Sequence, residues 1–406
     1  MNVLYIHISS LPHVSGHGVS LDLIREFRRH GHDVYIVCAL EKDANRDTYM
    51  TEEDGCRILR VKIGKNKKAG LIEKGLTTIL EPHRYISAIR KYYSQVKFDL
   101  VLYPTPPITQ VKTVEYIKKR DGAKSYLLLK DIFPQNAVDL GMLSKTGIKG
   151  FIYRYFRKKE KRLYKVSDFI GCMSQANADY VLKHNPEVNP GKVGICPNSA
   201  EIIDMSVDEE TRVEIRKKYD IPLDKKVFIY GGNLGKPQGI PFIVECMKAV
   251  KDIEDAFFLI VGDGTEFGRI ENYVSDSRQG NLKLMKRLPK NDYDAMVGAC
   301  DVGMIFLDHR FTIPNFPSRL LSYMQAKIPV LACTDPNTDV GEVITDGGFG
   351  WWCESKDPNE FNSNVRHILT EDLKRKGEVA YVYMKSCYNS ETSYNVIMSS
   401  IACTDK

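Results

Sequence analysis

Residues 312–335 read TIPNFPSRLLSYMQAKIPVLACTD, and the rest of the chain is read outward from them. Pro314 and Pro317 bracket Asn315 and Phe316, which makes an extended loop with few backbone donors of its own. A helix begins at Ser318 and Arg319, carries Leu320, Leu321 and Met324 at apolar helical spacing, and ends near Lys327. Pro329 restarts the chain as a short buried strand, 330–333. A helix whose first turn opens at a loop offers unpaired N–H groups and a positive dipole end, and so suits an anion. Arg319 adds a forked cation at the same place. The same residues also read as an ordinary capped helix of an α/β domain, and the stretch by itself leaves both readings open.

The surrounding sequence repeats that grammar. A strand at 226–230 runs into GGNLGKPQG, residues 231–239, and a helix starts at Ile240. Four glycines, a lysine and a helix start after a strand are the elements of a phosphate cradle, although not in P-loop spacing. Further strands are expected at 257–261, ending in Gly262-Asp263-Gly264, at 282–285 before Arg287 and Leu288, and at 302–307. Helices are expected at 293–300, 360–369 and 371–385, and in the final turns to 401. Towards the N-terminus, a strand at 3–8, a loop holding Gly16 and Gly18, a helix at 19–30 and a strand at 33–39 form a Rossmann-type βαβ unit. The two glycines let the backbone approach a ligand closely. Strands at 57–63, 98–103, 124–129, 168–172 and 192–196 complete one doubly wound domain to about 198, with a crossover through 210.

At 406 residues the chain accommodates two full-sized cores. Its 43% hydrophobic and 27% charged residues are those of a soluble globular protein, and a net charge of +6 leaves anion preference to local clusters. Ten cysteines, with no CxxC pair and no Cys/His metal spacing, read as thiols of a reducing compartment, and no metal site is expected. Residues 1–9 read as a first strand rather than a leader, and no apolar run reaches membrane-spanning length. A cytoplasmic location, or the cytoplasmic side of a membrane, is the expectation.

Two further features stand out. Lys62, Lys65, Lys67 and Lys68 precede a helix over 151–165. There Ile152, Tyr155, Phe156, Leu163 and Val166 share one face, and Arg154, Arg157, Lys158, Lys161 and Lys165 the other. This is a surface helix packed by its apolar side, or an electrostatic footprint for an anionic membrane surface. No nucleic-acid module accompanies the charges, so no nucleic-acid partner is expected. Asp131, beside Lys130 at the end of the 124–129 strand, lies where an open parallel sheet binds ligands; it either handles a substrate hydroxyl or caps the following turn.

The assembled pattern resembles the two-domain GT-B glycosyltransferases, and specifically the retaining family 4 enzymes, along essentially the whole chain. GGNLGKPQG, VGDG (261–264) and PSRLLSYMQAKIPVLA (317–332) follow the order of that family's nucleotide-sugar half. LLKDIFPQNAVDLGM (128–142) resembles the DLWPES-type segment of transferases that build bacterial O-antigen and capsule repeat units, such as the L-fucosamine transferase type. The resemblance implies an α/β fold of two Rossmann-like doubly wound domains facing a central cleft. Residues 1–200 would bind the acceptor, 201–380 the nucleotide sugar, and 381–406 would pack back on the first domain. It implies a retaining hexosyltransferase using no metal and no cofactor, only a UDP-sugar donor, here of an N-acetylated amino sugar. The acceptor would be a lipid-linked (polyprenyl diphosphate) saccharide, reached from the inner face of the cell membrane.

Carried over by position, Gly232, Asn233 and Lys236 would face the donor diphosphate, Gly262, Asp263 and Gly264 the nucleoside, and Arg287 and Leu288 the base. Ser318, Arg319 and the amides of Leu320 and Leu321 would hold the phosphate, with Asp131 on the acceptor side and leaving-group charge met by cations and dipoles. Many relatives carry two glutamates eight positions apart here; this chain has Pro314 and Ser322. Glutamate to serine at the ribose contact removes a charged hydrogen bond worth about 1.5–3 kcal/mol. Two rivals follow: a UDP-sugar epimerase of the same fold, which needs no acceptor, and a catalytically silent nucleotide-sugar-binding partner.

Overall fold

A strand covered by helices on both faces must be apolar along its whole length, which is why the expected strands stand out as unbroken apolar runs. The computed structural model describes residues 1–7, 10–11, 13–40, 46–63 and 71–402, the last including 71–79 by backbone alone. The chain divides into Met1–Glu201 with Ser390–Lys406, and Ile202–Asn389.

In the first unit, β1 (Asn2–Ile6), β2 (Asp33–Ala39), β3 (Tyr49–Glu53), β4 (Cys56–Val61), β5 (Leu100–Pro104), β6 (Lys124–Leu129), β7 (Phe169–Cys172) and β8 (Val193–Ile195) form one sheet. Their order is β3-β4-β2-β1-β5-β6-β7-β8, parallel except for β3, which runs against β4. The sequence does not announce β3, because its YMTEE sits on the edge with alternate residues exposed and no apolar run. The chain leaves β1 towards β2 on one side and returns beside it as β5 on the other, so the switch point lies between β1 and β5.

The returning C-terminal segment begins at Ser390 rather than 381, since the helix Leu373–Cys387 is part of the second unit. Helix Ser390–Ala402 docks on helix Val19–Arg29. Tyr394 stacks on His30 with centroids 3.9 Å apart and meets Phe27 edge-on, and Ser390 Oγ donates to Glu26 (2.9 Å).

In the second unit, β9 (Lys226–Asn233), β10 (Ala256–Asp263), β11 (Leu282–Lys286), β12 (Val302–Phe306), β13 (Val330–Thr334) and β14 (Gly350–Glu354) are all parallel. They lie in the order β11-β10-β9-β12-β13-β14, with the switch point between β9 and β12. Phe228, Tyr230, Phe258, Met304, Phe306 and Phe361 are among the buried side chains at its centre.

The helix Gly147–Val166 departs from expectation. Its buried line runs through Gly150, Glu160, Leu163 and Tyr164, while Ile152 and Tyr155, expected on the packed face, are exposed. The reason is a polar anchor: Arg157 donates to Glu160 (2.7 Å) and to Asn185 Oδ1 (2.7 Å), which rolls the charged side inwards along the second half of the helix.

Candidate functional site

Past its last apolar residue, β9 continues as Gly231, Gly232 and Asn233 at the β9/β12 switch point. Gly231 is compulsory, because a Cβ there would lie 1.8 Å from the Tyr293 hydroxyl. At Gly232, with φ 129°, a Cβ would sit 3.2 Å from Nη2 of Arg319. Arg319 opens the helix Arg319–Gln325, and its guanidinium carbon stands 4.3 Å from the centroid of the Tyr230 ring. One turn later, the Tyr323 hydroxyl reaches the carbonyls of Ile229 (3.2 Å) and Met304 (3.0 Å), tying the helix to both strands of the switch point. The arginine thus stands among Tyr230, Gly232 and a helix that cannot shift.

Within this frame, Nη1 of Arg319 is buried and has no hydrogen-bond partner among the described residues. A buried guanidinium nitrogen without an acceptor is expensive, so the arrangement favours a bound anion that supplies one.

The other donor-side candidates divide. Lys236 opens the single turn Lys236–Gln238 and is exposed. Asn233 is exposed, but its amide donates to Gln238 Oε1 (3.0 Å), which also accepts from Gly235 N (3.2 Å) and so shapes the loop. Gly262 and Gly264 are required by the chain itself: a Cβ would lie 2.1 Å from Gly232 O and 2.3 Å from Leu234 O respectively. They let two loops pack closely. Asp263 is exposed and accepts from Gly264 N (2.8 Å). Arg287 and Leu288 follow β11, two strands from β9, a lateral offset of roughly 10 Å.

The amides of Leu320 and Leu321, expected to bind phosphate, instead donate to Pro317 O (3.2 Å) and Ser318 O (3.1 Å), because the first turn is tightened to an i→i−3 pattern. Ser318 is exposed and Ser322 half-buried on the next turn.

Sequence reasoning gave no role to Tyr230, Tyr293, Tyr323 or Asp335. Nothing in spacing joins the three tyrosines. Asp335, which closes the opening stretch, is fully buried after β13. Burial pushes its carboxyl up to about 6. Its Oδ1 accepts from Asn337 N (2.9 Å), and Asn337 Nδ2 in turn donates to Phe311 O (2.6 Å). Together with Thr338 Oγ1, which donates to Asn315 O (2.5 Å), this holds the loop leading to Arg319.

In the first unit, Asp131 follows β6. Thr105 Oγ1 donates to its carbonyl (3.0 Å), and Oδ2 accepts from Asn136 Nδ2 (2.7 Å). Oδ1 is buried without a partner among the described residues, and desolvation pushes the carboxyl up to about 6. The helix that follows, Gln135–Asp139, has Pro134 at its cap position and no side-chain cap bond. Asp131 is therefore not that helix's cap. The Lys130 ammonium donates to Pro197 O at 3.4 Å, and burial lowers its affinity for a proton.

Gly16 and Gly18 are not an open cradle. Arg25 donates to the carbonyls of Val14 (2.7 Å) and Gly16, and Asp22 Oδ1 accepts from Gly18 N (3.1 Å), so the helix behind the loop consumes its polar groups. His17, Asp22 and Glu201 converge nearby, but the Arg25 guanidinium already lies among them, donating to Asp22 and Glu201. Lys62 pairs with Asp47 (2.9 Å); Lys65, Lys67 and Lys68 lie outside the described residues. No helix among the described residues is long and apolar enough to cross a membrane.

Two doubly wound units with these switch points are the GT-B fold. The solved sucrose-phosphate synthase from Thermosynechococcus elongatus superposes with a TM-score of 0.75 at 15% identity, covering 99% of this chain and 98% of its own. Residues 211–381, within the second unit, match the family described as glycosyl transferases group 1. The chain is 25% identical over 335 residues to the probable glycosyltransferase WbjE of Pseudomonas aeruginosa, covering 82% of this chain and 81% of that protein. It is 21% identical over 410 residues to the putative colanic acid biosynthesis glycosyl transferase WcaI of Escherichia coli (strain K12), covering 96% and 97%. The family match thus falls on residues 211–381, and the two relatives that span most of the chain are both named as glycosyltransferases.

Proposed function

We propose that this chain moves a sugar, an N-acetylated amino sugar, from a UDP-sugar to a lipid-linked saccharide in bacterial surface polysaccharide synthesis. Transfer proceeds with retention, without a metal, at the inner face of an anionic membrane. The observation that carries the reading is the buried, unpartnered Nη1 of Arg319 at the β9/β12 switch point. The names of WbjE and WcaI support the polysaccharide setting.

As the bond from the anomeric carbon to the diphosphate breaks, negative charge grows on the leaving oxygen. Arg319, fixed on Tyr230, meets that charge without reorganising, and Lys236 adds an exposed cation. The new bond forms from an acceptor hydroxyl to the same face of the anomeric carbon. Asp131, whose Oδ1 has no donor among the described residues, orients that hydroxyl and takes its proton.

Calorimetry with UDP tests the placement. Lys236→Ala and Arg319→Ala should each weaken binding by about 2–3 kcal/mol, and unchanged affinity in both would remove the donor site from here. A screen of UDP-, GDP- and dTDP-sugars with and without acceptor separates transfer from epimerisation. Pro314 and Ser322, in place of the glutamates, favour the silent nucleotide-sugar binder as second reading. Donor binding without turnover of any donor would select it.

A further inference from the structure

The helix Gly147–Val166 exposes what a soluble helix normally hides. Ile148 is 84% exposed, Phe151 70%, Ile152 45% and Tyr155 43%, and these positions fall on one helical stripe. Met142, just before the helix, is 45% exposed as well. Large apolar side chains left out singly need no explanation, but four at one end of one helix, with a fifth just before it, do.

The other half of the helix is held fast. Leu163 and Tyr164 are buried, the Tyr164 hydroxyl donates to Glu160 (2.9 Å), and Arg157 is bonded to Asn185. Phe156 rests edge-on against Phe133, with centroids 5.0 Å apart. The exposed end is therefore carried on a rigid stem.

Cations surround it. Lys145, Lys149, Arg154 and Lys158 are exposed and have no carboxylate partner among the described residues. Arg154 lies over the Phe151 ring at 4.5 Å and Lys159 over Tyr155 at 5.5 Å, so the cations flank the apolar stripe. Carboxylates near the helix are engaged elsewhere: Glu115 with Arg162, Glu187 with Lys161 and Glu160 with Arg157. From Phe151 to Lys158 is seven residues, roughly 10 Å along a helix axis. That matches the depth of about 5–10 Å to which interfacial helices bury apolar side chains below the headgroups.

We propose that this end of the helix inserts obliquely into a lipid leaflet, with Ile148, Phe151, Ile152 and Tyr155 among the acyl chains and the surrounding cations at the level of anionic phosphates. The occupant is a bilayer, because Arg154 and Lys158 stand one and two turns behind Phe151, and Lys145 and Lys149 beside the tip have stems long enough to lift their ammonium groups to the same anionic level. The inference rests on the proposed lipid-linked acceptor for its purpose, but on the exposed stripe for its evidence. It differs from a purely electrostatic footprint in one measurable respect: apolar insertion survives salt.

The test uses the full chain and mixed phosphatidylglycerol–phosphatidylcholine vesicles. Phe151→Trp should show a blue-shifted emission on adding vesicles and should be quenched by acyl-chain-brominated lipid. Co-sedimentation should fall several-fold at about 0.5 M salt, where the screening length is roughly 4 Å, yet remain detectable. Ile148→Asp combined with Phe151→Asp should reduce vesicle binding at least tenfold with UDP affinity unchanged. Lys149→Gln with Lys158→Gln should weaken binding mainly at low salt. Binding that salt abolishes, or unshifted Phe151→Trp emission in pelleted complexes, overturns insertion. So does a lipid-free dimer that the aspartate variants dissociate, which would make the stripe a contact between copies. Loss of transfer to a soluble acceptor with vesicle binding intact would instead count against the functional reading alone.

Discussion

The guanidinium of Arg319 stacks on the ring of Tyr230, 4.3 Å from its centroid, and the stack places Nη2 3.2 Å from where a Cβ of Gly232 would sit. A cation held by an aromatic face keeps its charge unneutralised, unlike one held by a carboxylate. The guanidinium is therefore charged and oriented, and its Nη1 has no acceptor among the described residues.

Loss of the stack should weaken nucleotide binding without removing the cation. Tyr230→Leu is expected to lower UDP affinity by about 1–2 kcal/mol, the worth of a desolvated cation–π contact. Equal affinity by calorimetry would show that the helix alone positions Arg319.

The contact beneath Gly231 is a packing constraint. Gly231→Ala should destabilise the second unit by about 2–3 kcal/mol, because its Cβ would overlap the Tyr293 ring. In denaturant melts, adding Tyr293→Ala should cost less in the alanine background than in wild type. Additive losses would mean that the strain is relieved some other way.

Transfer should titrate with Asp131. Its carboxyl is pushed up to about 6 by burial, so only above that pH is it the base that a hydroxyl requires. Turnover should rise as pH climbs through about 6, and Asp131→Asn should lower turnover and erase that limb while leaving UDP affinity intact. An unchanged profile in the variant would reduce Asp131 to a structural role.

Glu81 should set part of the pH dependence of stability. It is buried, accepts a bond from Gln110 Nε2 (3.1 Å), and is pushed up to about 7 by desolvation. The folded form holds this proton more tightly than the unfolded chain, so the contribution is greatest below the unfolded value. It falls away as pH rises towards 7, by on the order of 2–3 kcal/mol. Glu81→Gln should flatten the stability–pH curve between about pH 4 and 8. Parallel curves for the two proteins would contradict the burial argument.

At position 322, restoring a carboxylate should help. Ser322→Glu is expected to tighten UDP binding by about 1 kcal/mol through a charged hydrogen bond to the ribose. No change would place Ser322 away from the nucleoside.

The elements were legible wherever burial on both faces made the strand uniformly apolar, so β2 and β6 stand where the sequence puts them, at Asp33–Ala39 and Lys124–Leu129. Edge strand β3 and the orientation of the helix Gly147–Val166 were not legible. The first is half solvated, and the second is set by Arg157 and Asn185, 28 residues apart. Similarly, the glycines at 262 and 264 are visible in the sequence, but whether they make room for a ligand or for Gly232 and Leu234 depends on which loop lies opposite.

Periodicity and punctuation by themselves determined the two doubly wound halves and picked out Arg319, because both follow from local spacing and residue chemistry. The tertiary structure alone decided that Tyr230, Tyr293 and Tyr323 gather around that arginine. It alone withdrew the amides of Leu320 and Leu321, and it left an apolar stripe outside the core. Each of these depends on a partner brought near by sheet order, and order is a property of the folded chain that no local pattern encodes.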